Sequence, residues 1–96
     1  MAARQSLTTE QIKQLSRKLT DGLKEAGYRA SVELEASEAS GRYRLYVISQ
    51  DFDKLSQGER QDVLWRVLKD VWSRADQLRI TLSLALSPKE AQGTWS

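Results

Sequence analysis

The chain has 96 residues, a formal net charge of +2 and 29% charged side chains, with neither cysteine nor histidine. That length suits one domain, able to bury roughly 65% of the surface its unfolded chain exposes and so to fold without staples. The missing thiols and imidazoles exclude a structural zinc site or a Cys-ligated iron–sulfur site made by this chain, and remove the commonest general base and the strongest nucleophile. No cofactor is expected.

Charge this modest falls short of a dedicated nucleic-acid binder. No apolar stretch approaches the roughly 18 residues a membrane span needs, and MAARQSLTTE has no hydrophobic signal-peptide core. A cytoplasmic protein with no membrane contact is expected. Residues 1–96 form a single domain with an ordered core over about 7–92. Irregular stretches fall at the first six residues, the turn around Ser37–Gly41 and the tail after Gln92.

The first helix is announced by its cap. Thr8 is the N-cap, Gln11 occupies the third helical position and Leu7 is placed to staple onto Ile12. The helix runs from about Thr9 to Ala26, where Gly27 stops it. Ile12, Leu15, Leu19, Leu23 and Ala26 make one apolar stripe, while Lys13, Arg17, Lys18 and Lys24 face water.

Period-two alternation follows. Ala30, Val32, Leu34 and Ala36 alternate with Arg29, Ser31, Glu33 and Glu35, the pattern of a half-buried strand. Beyond Gly41, Tyr43, Leu45 and Val47 face the core and Arg42, Arg44 and Tyr46 face outward, so the two strands pair as an antiparallel hairpin. Ser56 and Glu59 form a second capping box, and Val63, Leu64, Val67, Leu68, Val71 and Ala75 stripe the second helix. In the third strand, Leu78 to Leu86, alternation puts Leu78, Ile80, Leu82, Leu84 and Leu86 on the core face and Arg79, Thr81, Ser83 and Ala85 on the other. Ser87 and Pro88 then open a last helical turn. The fold class is therefore α+β, in the order α-β-β-α-β-(α). A crossover of this length favours a parallel pair, giving a mixed three-stranded sheet with both long helices on one face.

Several of these segments carry a family resemblance. GRYRLYVIS resembles the second strand of the BolA family, Phe52, Ser56 and Arg60 fall on its Phe-x-x-x-Ser-x-x-x-Arg pattern, and Ala85-Leu86-Ser87-Pro88 resembles the Ala-Leu-Thr-Pro that closes its third strand. The similarity runs from the first helix through Glu90. It implies a non-enzymatic regulator with a fold similar to class II KH domains, often partnered with monothiol glutaredoxins around a shared iron–sulfur cluster. The family's Arg-His-Arg corresponds to Arg60-Gln61-Asp62 here, and its metal-ligating histidine falls at about Arg79. Arginine cannot ligate iron, so the resemblance carries over the fold and a glutaredoxin-type partner without a metal role. The implied partner-binding residues are Phe52, Ser56, Arg60 and Arg79.

A different class of function is open on the outward sheet face. Arg29, Arg42, Arg44, Tyr46 and Arg79 project from it, supplying cations for phosphates and a ring for base stacking, while Glu33 and Glu35 weaken the field. The turn Asp51–Gly58 has one glycine and two acids where KH domains carry Gly-x-x-Gly. Trp65 and Trp72 flank the second helix's stripe and are expected to pack against the first helix or the C-terminal turn, whereas Trp95 lies in the tail. The best acid–base candidates, Asp51, Asp53 and Glu59, occur as loop and capping carboxylates, so no catalysis is expected.

Overall fold

The computed structural model describes residues 7–37 and 41–95, with side chains through residue 93. The elements are α1 (Thr9–Glu25), β1 (Ser31–Ala36), β2 (Tyr43–Ile48), a 3-10 turn over Gln50–Lys54, α2 (Gln57–Val71), α3 (Arg74–Gln77), β3 (Ile80–Leu86) and α4 (Pro88–Trp95). β2 lies in the centre of the sheet, antiparallel to β1 and parallel to β3. The fold is α+β with a mixed sheet, as the element order predicts.

Both capping boxes form. Thr8 Oγ1 accepts from the Gln11 amide at 3.1 Å while Gln11 Oε1 accepts from the Thr8 amide at 2.8 Å, and Ser56 and Glu59 do the same for α2. Each box satisfies N–H groups that a helix start leaves without partners. α1 ends one residue earlier than expected, with Ala26 as its C-cap, and Gly27 follows at φ 98°, a left-handed conformation suited to glycine.

α1 and α2 pack on the same face of the sheet, called inner below. Leu15, Leu19, Leu23, Leu45, Val47, Phe52, Leu64, Leu68 and Trp72 fill the space between. The two helices approach closely at Gly22, where a Cβ would stand 2.7 Å from Val67 Cγ1. Trp72 is buried against α1, its indole Nε1 donating to the Leu15 carbonyl at 2.9 Å.

Two expectations about the C-terminal half are corrected. The second helix does not reach Ala75. Trp72 is extended, Ser73 starts the separate short helix α3 by accepting from the Asp76 amide, and Ala75 is exposed on it. The larger correction concerns β3, which begins at Ile80; Leu78 caps α3 and is 57% exposed. Tyr43 sits opposite Ile80, but Arg44 sits opposite Leu82, so Thr81 is an extra residue. One inserted residue reverses which side chains face which way. Ile80 faces the inner side as expected, but beyond the irregularity Ala85 belongs to the core and Ser83 bonds to α2, leaving Leu82, Leu84 and Leu86 on the outer face.

The outer face is therefore a grid of three rows: Glu35–Arg44–Leu82, Glu33–Tyr46–Leu84 and Ser31–Ile48–Leu86. α4 packs against β3. Tyr46 and Leu86, on the outer face, are only 8% and 9% exposed. The tail, expected to be irregular after Gln92, is helical through Trp95. The Trp95 side chain, the first six residues and the tip of the β1–β2 turn lie outside the described residues.

Candidate binding surface

The Phe52–Ser56–Arg60 pattern organises one end of the molecule. Phe52 is fully buried, its ring tilted against Tyr28 at a centroid distance of 6.0 Å. Ser56 is the α2 cap. Arg60, one turn into α2, is 5% exposed and holds the end of β3 to the helix. Its Nε donates to the Leu55 carbonyl at 3.1 Å, and its Nη1 donates to the Ala85 carbonyl at 3.2 Å and to Glu90 Oε1 at 2.6 Å. A buried guanidinium is stable only with such partners.

Arg79 lies elsewhere. Its carbonyl accepts from the Tyr43 amide at 2.8 Å at the opposite end of β3, its Nε is 3.5 Å from Asp76 Oδ1, and it borders the inner-face residues Leu34, Trp72 and Ile80. The six residue steps from Arg79 to Ala85 span about 20 Å of strand. The structure thus brings Phe52, Ser56 and Arg60 together and leaves Arg79 apart.

The five residues of the expected basic face are likewise dispersed. Arg44 is on the outer face but paired with Glu35 at 3.2 Å. Tyr46, expected to present a ring to solvent, is buried and donates its hydroxyl to Glu35 Oε1 at 3.4 Å. Arg42 is half-buried where the hairpin enters β2. Arg29 stands at the opposite end of the sheet, where its amide donates to Asp51 Oδ2 at 2.9 Å and its carbonyl accepts from Ser49 Oγ at 2.6 Å. With Glu33 and Glu35 on the outer face as well, the five residues do not make an uninterrupted basic face.

Two carboxyls are held below their usual value of 4.5. For Glu59 the main cause is its hydrogen bond from the Ser56 amide. For Glu90 it is the Ser87 amide first, then the Arg60 guanidinium. Both are helix-cap interactions that favour the ionised form. They occupy the carboxylates with backbone donors rather than aim them at a substrate. Asp51 is similarly engaged by the Arg29 amide. Among the described residues no cluster of carboxylates is arranged to hold a metal ion, and no helix is long and apolar enough to cross a membrane.

What the alternation of β3 concealed is the apolar end of the outer face. Leu82 is 46% exposed and stands beside Arg44; it and Leu78 are the large apolar side chains left exposed among the described residues. The small side chains opposite α2, Ser83 and Ala85, are the signal that could have revealed the flip. Ser83 receives the Trp65 indole Nε1 at 3.3 Å, and Gln61 Nε2 donates to the Ser83 carbonyl at 3.4 Å.

No protein-family model matches the chain, and neither a curated protein nor a solved structure matches it.

Proposed function

We propose that this chain is a BolA-like regulatory or adaptor domain that acts by binding a protein, without catalysis and without ligating a metal cluster through its own side chains. The element order and the Phe-x-x-x-Ser-x-x-x-Arg pattern support the family reading. The observation that carries the binding reading is Leu82, 46% exposed on the outer face of a sheet whose other large apolar side chains are half-buried or buried. An exposed leucine next to a pairable arginine suits a protein partner, where apolar contact supplies affinity and a charged rim orients it. The carboxylate-bound Arg44 and the buried Tyr46 favour that partner over nucleic acid.

A monothiol glutaredoxin is the partner class that the family resemblance suggests, bound through surface contacts alone. Amide NMR titration of the labelled chain tests this. A glutaredoxin is expected to shift resonances around Leu82, Leu78 and Arg44, and Leu82→Glu to weaken the binding at least tenfold, as truncating or charging a central apolar anchor does. Salt-sensitive shifts at Arg42 and Arg44 with short single-stranded RNA, and none with the protein, would replace this reading by the nucleic-acid one.

A further inference from the structure

The two edges of the sheet are finished differently. At β3 the carbonyls of Ser83 and Ala85 are taken by Gln61 and Arg60 of α2. At β1 the hydrogen bonds of the ladder tell which groups point outward. The Ser37 amide donates to the Arg42 carbonyl at 3.0 Å, whereas the Tyr43 and Ser49 amides donate to the Arg79 and Leu86 carbonyls at 2.8 and 2.9 Å. Even-numbered residues of β2 therefore bond β1, and odd-numbered ones bond β3. Bonded and non-bonded pairs alternate in an antiparallel ladder, so Ser31, Glu33 and Glu35 bond β2 while Val32, Leu34 and Ala36 turn their amides and carbonyls away from the sheet. No described residue meets those outward groups. The strand also has no proline, lysine or bulge to obstruct a neighbour.

We infer that β1 is a docking edge for an extended segment of a partner protein, which joins the sheet with cationic side chains on the outer face and apolar ones on the inner face. The outer requirement comes from Glu33, which is exposed and has no ion pair among the described residues, while Glu35 is engaged by Arg44 and Tyr46. The inner requirement comes from Val32 and Leu34, which pack at the rim of the core and are only half-buried. An added strand covers what remains exposed of both, and its backbone supplies the missing hydrogen-bond partners. A second copy of the chain does not suit the edge. In the antiparallel registers of greatest overlap, Glu33 falls opposite Glu33 or Glu35 of the copy, and like charges directly opposite are destabilising. This edge lies across the sheet from Leu82, so the inference goes beyond the reading of that patch and does not rest on it.

Amide exchange and NMR titration of the full chain test the edge. Without any ligand, the amides of Val32, Leu34 and Ala36 are expected to exchange on the order of a hundredfold faster than those of Leu45 and Val47, which bond β3. A hexapeptide of alternating lysine and valine should shift β1 resonances and slow exchange at Val32, Leu34 and Ala36, and one of alternating glutamate and valine should do neither. Methylating the backbone nitrogens of the valines keeps the charges but blocks pairing, and should abolish the effect. Glu33→Lys, at an exposed position, should weaken the lysine peptide about fivefold and favour the glutamate one. Equal protection along β1 in the unliganded chain would overturn the inference, as would equal binding of the two peptides or binding that survives methylation. Protection that rises with protein concentration alone would also overturn it, by assigning the edge to a second copy.

Discussion

Both faces of the sheet carry large apolar side chains, but they are sealed in different ways. The inner face lies under two capped helices whose leucines interlock with Leu45, Val47 and Phe52, closed further by the Trp72 indole on the Leu15 carbonyl. The outer face has tyrosine, isoleucine and three leucines, yet neither long helix lies on it and Leu82 is left 46% exposed. Apolar side chains alone therefore do not distinguish a core face from one left partly in water. The packing partner decides it, and the two long helices serve the inner side alone.

The contrast can be broken most sharply from inside. Leu68→Ala, at a fully buried position, should lower stability by about 3 kcal/mol in urea unfolding, because the rigid surroundings cannot collapse onto the cavity. Arg60→Ala should cost about 2 kcal/mol by the same measurement, chiefly by leaving the buried Ala85 carbonyl without its donor. Gly22→Ala would normally strengthen a helix, but here the new methyl meets the stiff, branched side chain of Val67, and a net loss of about 1 kcal/mol is expected. Outside, Leu82→Lys should change stability by less than about 0.5 kcal/mol while removing partner binding. Equal destabilisation by Leu82→Lys and Leu68→Ala would erase the distinction between the faces.

The smallest effect is that of acid. Glu59 and Glu90 have folded-state pKa values below 4.5, so each contributes stability that is fully present above that value and is lost as pH falls through the folded-state value. Urea midpoints should therefore fall on acidification below about pH 4.5, and fall less steeply in Glu59→Gln and Glu90→Gln than in the unaltered chain. Identical acid profiles in all three proteins would show that the two caps contribute nothing measurable.

The legible parts of the fold were those governed by local rules. Thr8 with Gln11, Ser56 with Glu59 and Ser87 with Pro88 marked three helix starts, because a cap is a short-range hydrogen bond that the sequence spells out. α3 followed the same logic through Ser73 and Asp76 but was merged with α2, since Ala75 happened to continue the apolar spacing. β3 could not be oriented locally. Leu82, Leu84 and Leu86 satisfy period two whichever face they occupy, and the choice depended on one extra residue at Thr81 set by pairing with β2. The candidate surface is hidden by the same ambiguity, because period-two alternation places Leu82 on the core face. Arg60 is legible as part of a motif, but its bonds to Ala85 and Glu90 cross 25 and 30 residues of sequence and no local pattern announces them.

The side chains that α2 extends to the rim of β3 have a consequence for colloidal behaviour. Gln61 and Arg60 bind the outward carbonyls of Ser83 and Ala85, the acceptors that a strand from a neighbouring molecule would need to extend the sheet. Growth of one molecule onto another along this edge is obstructed without a proline or a lysine in the strand itself. β3 can consequently carry alternating leucines, a composition that invites fibrils in an unguarded strand, and still leave one of them exposed.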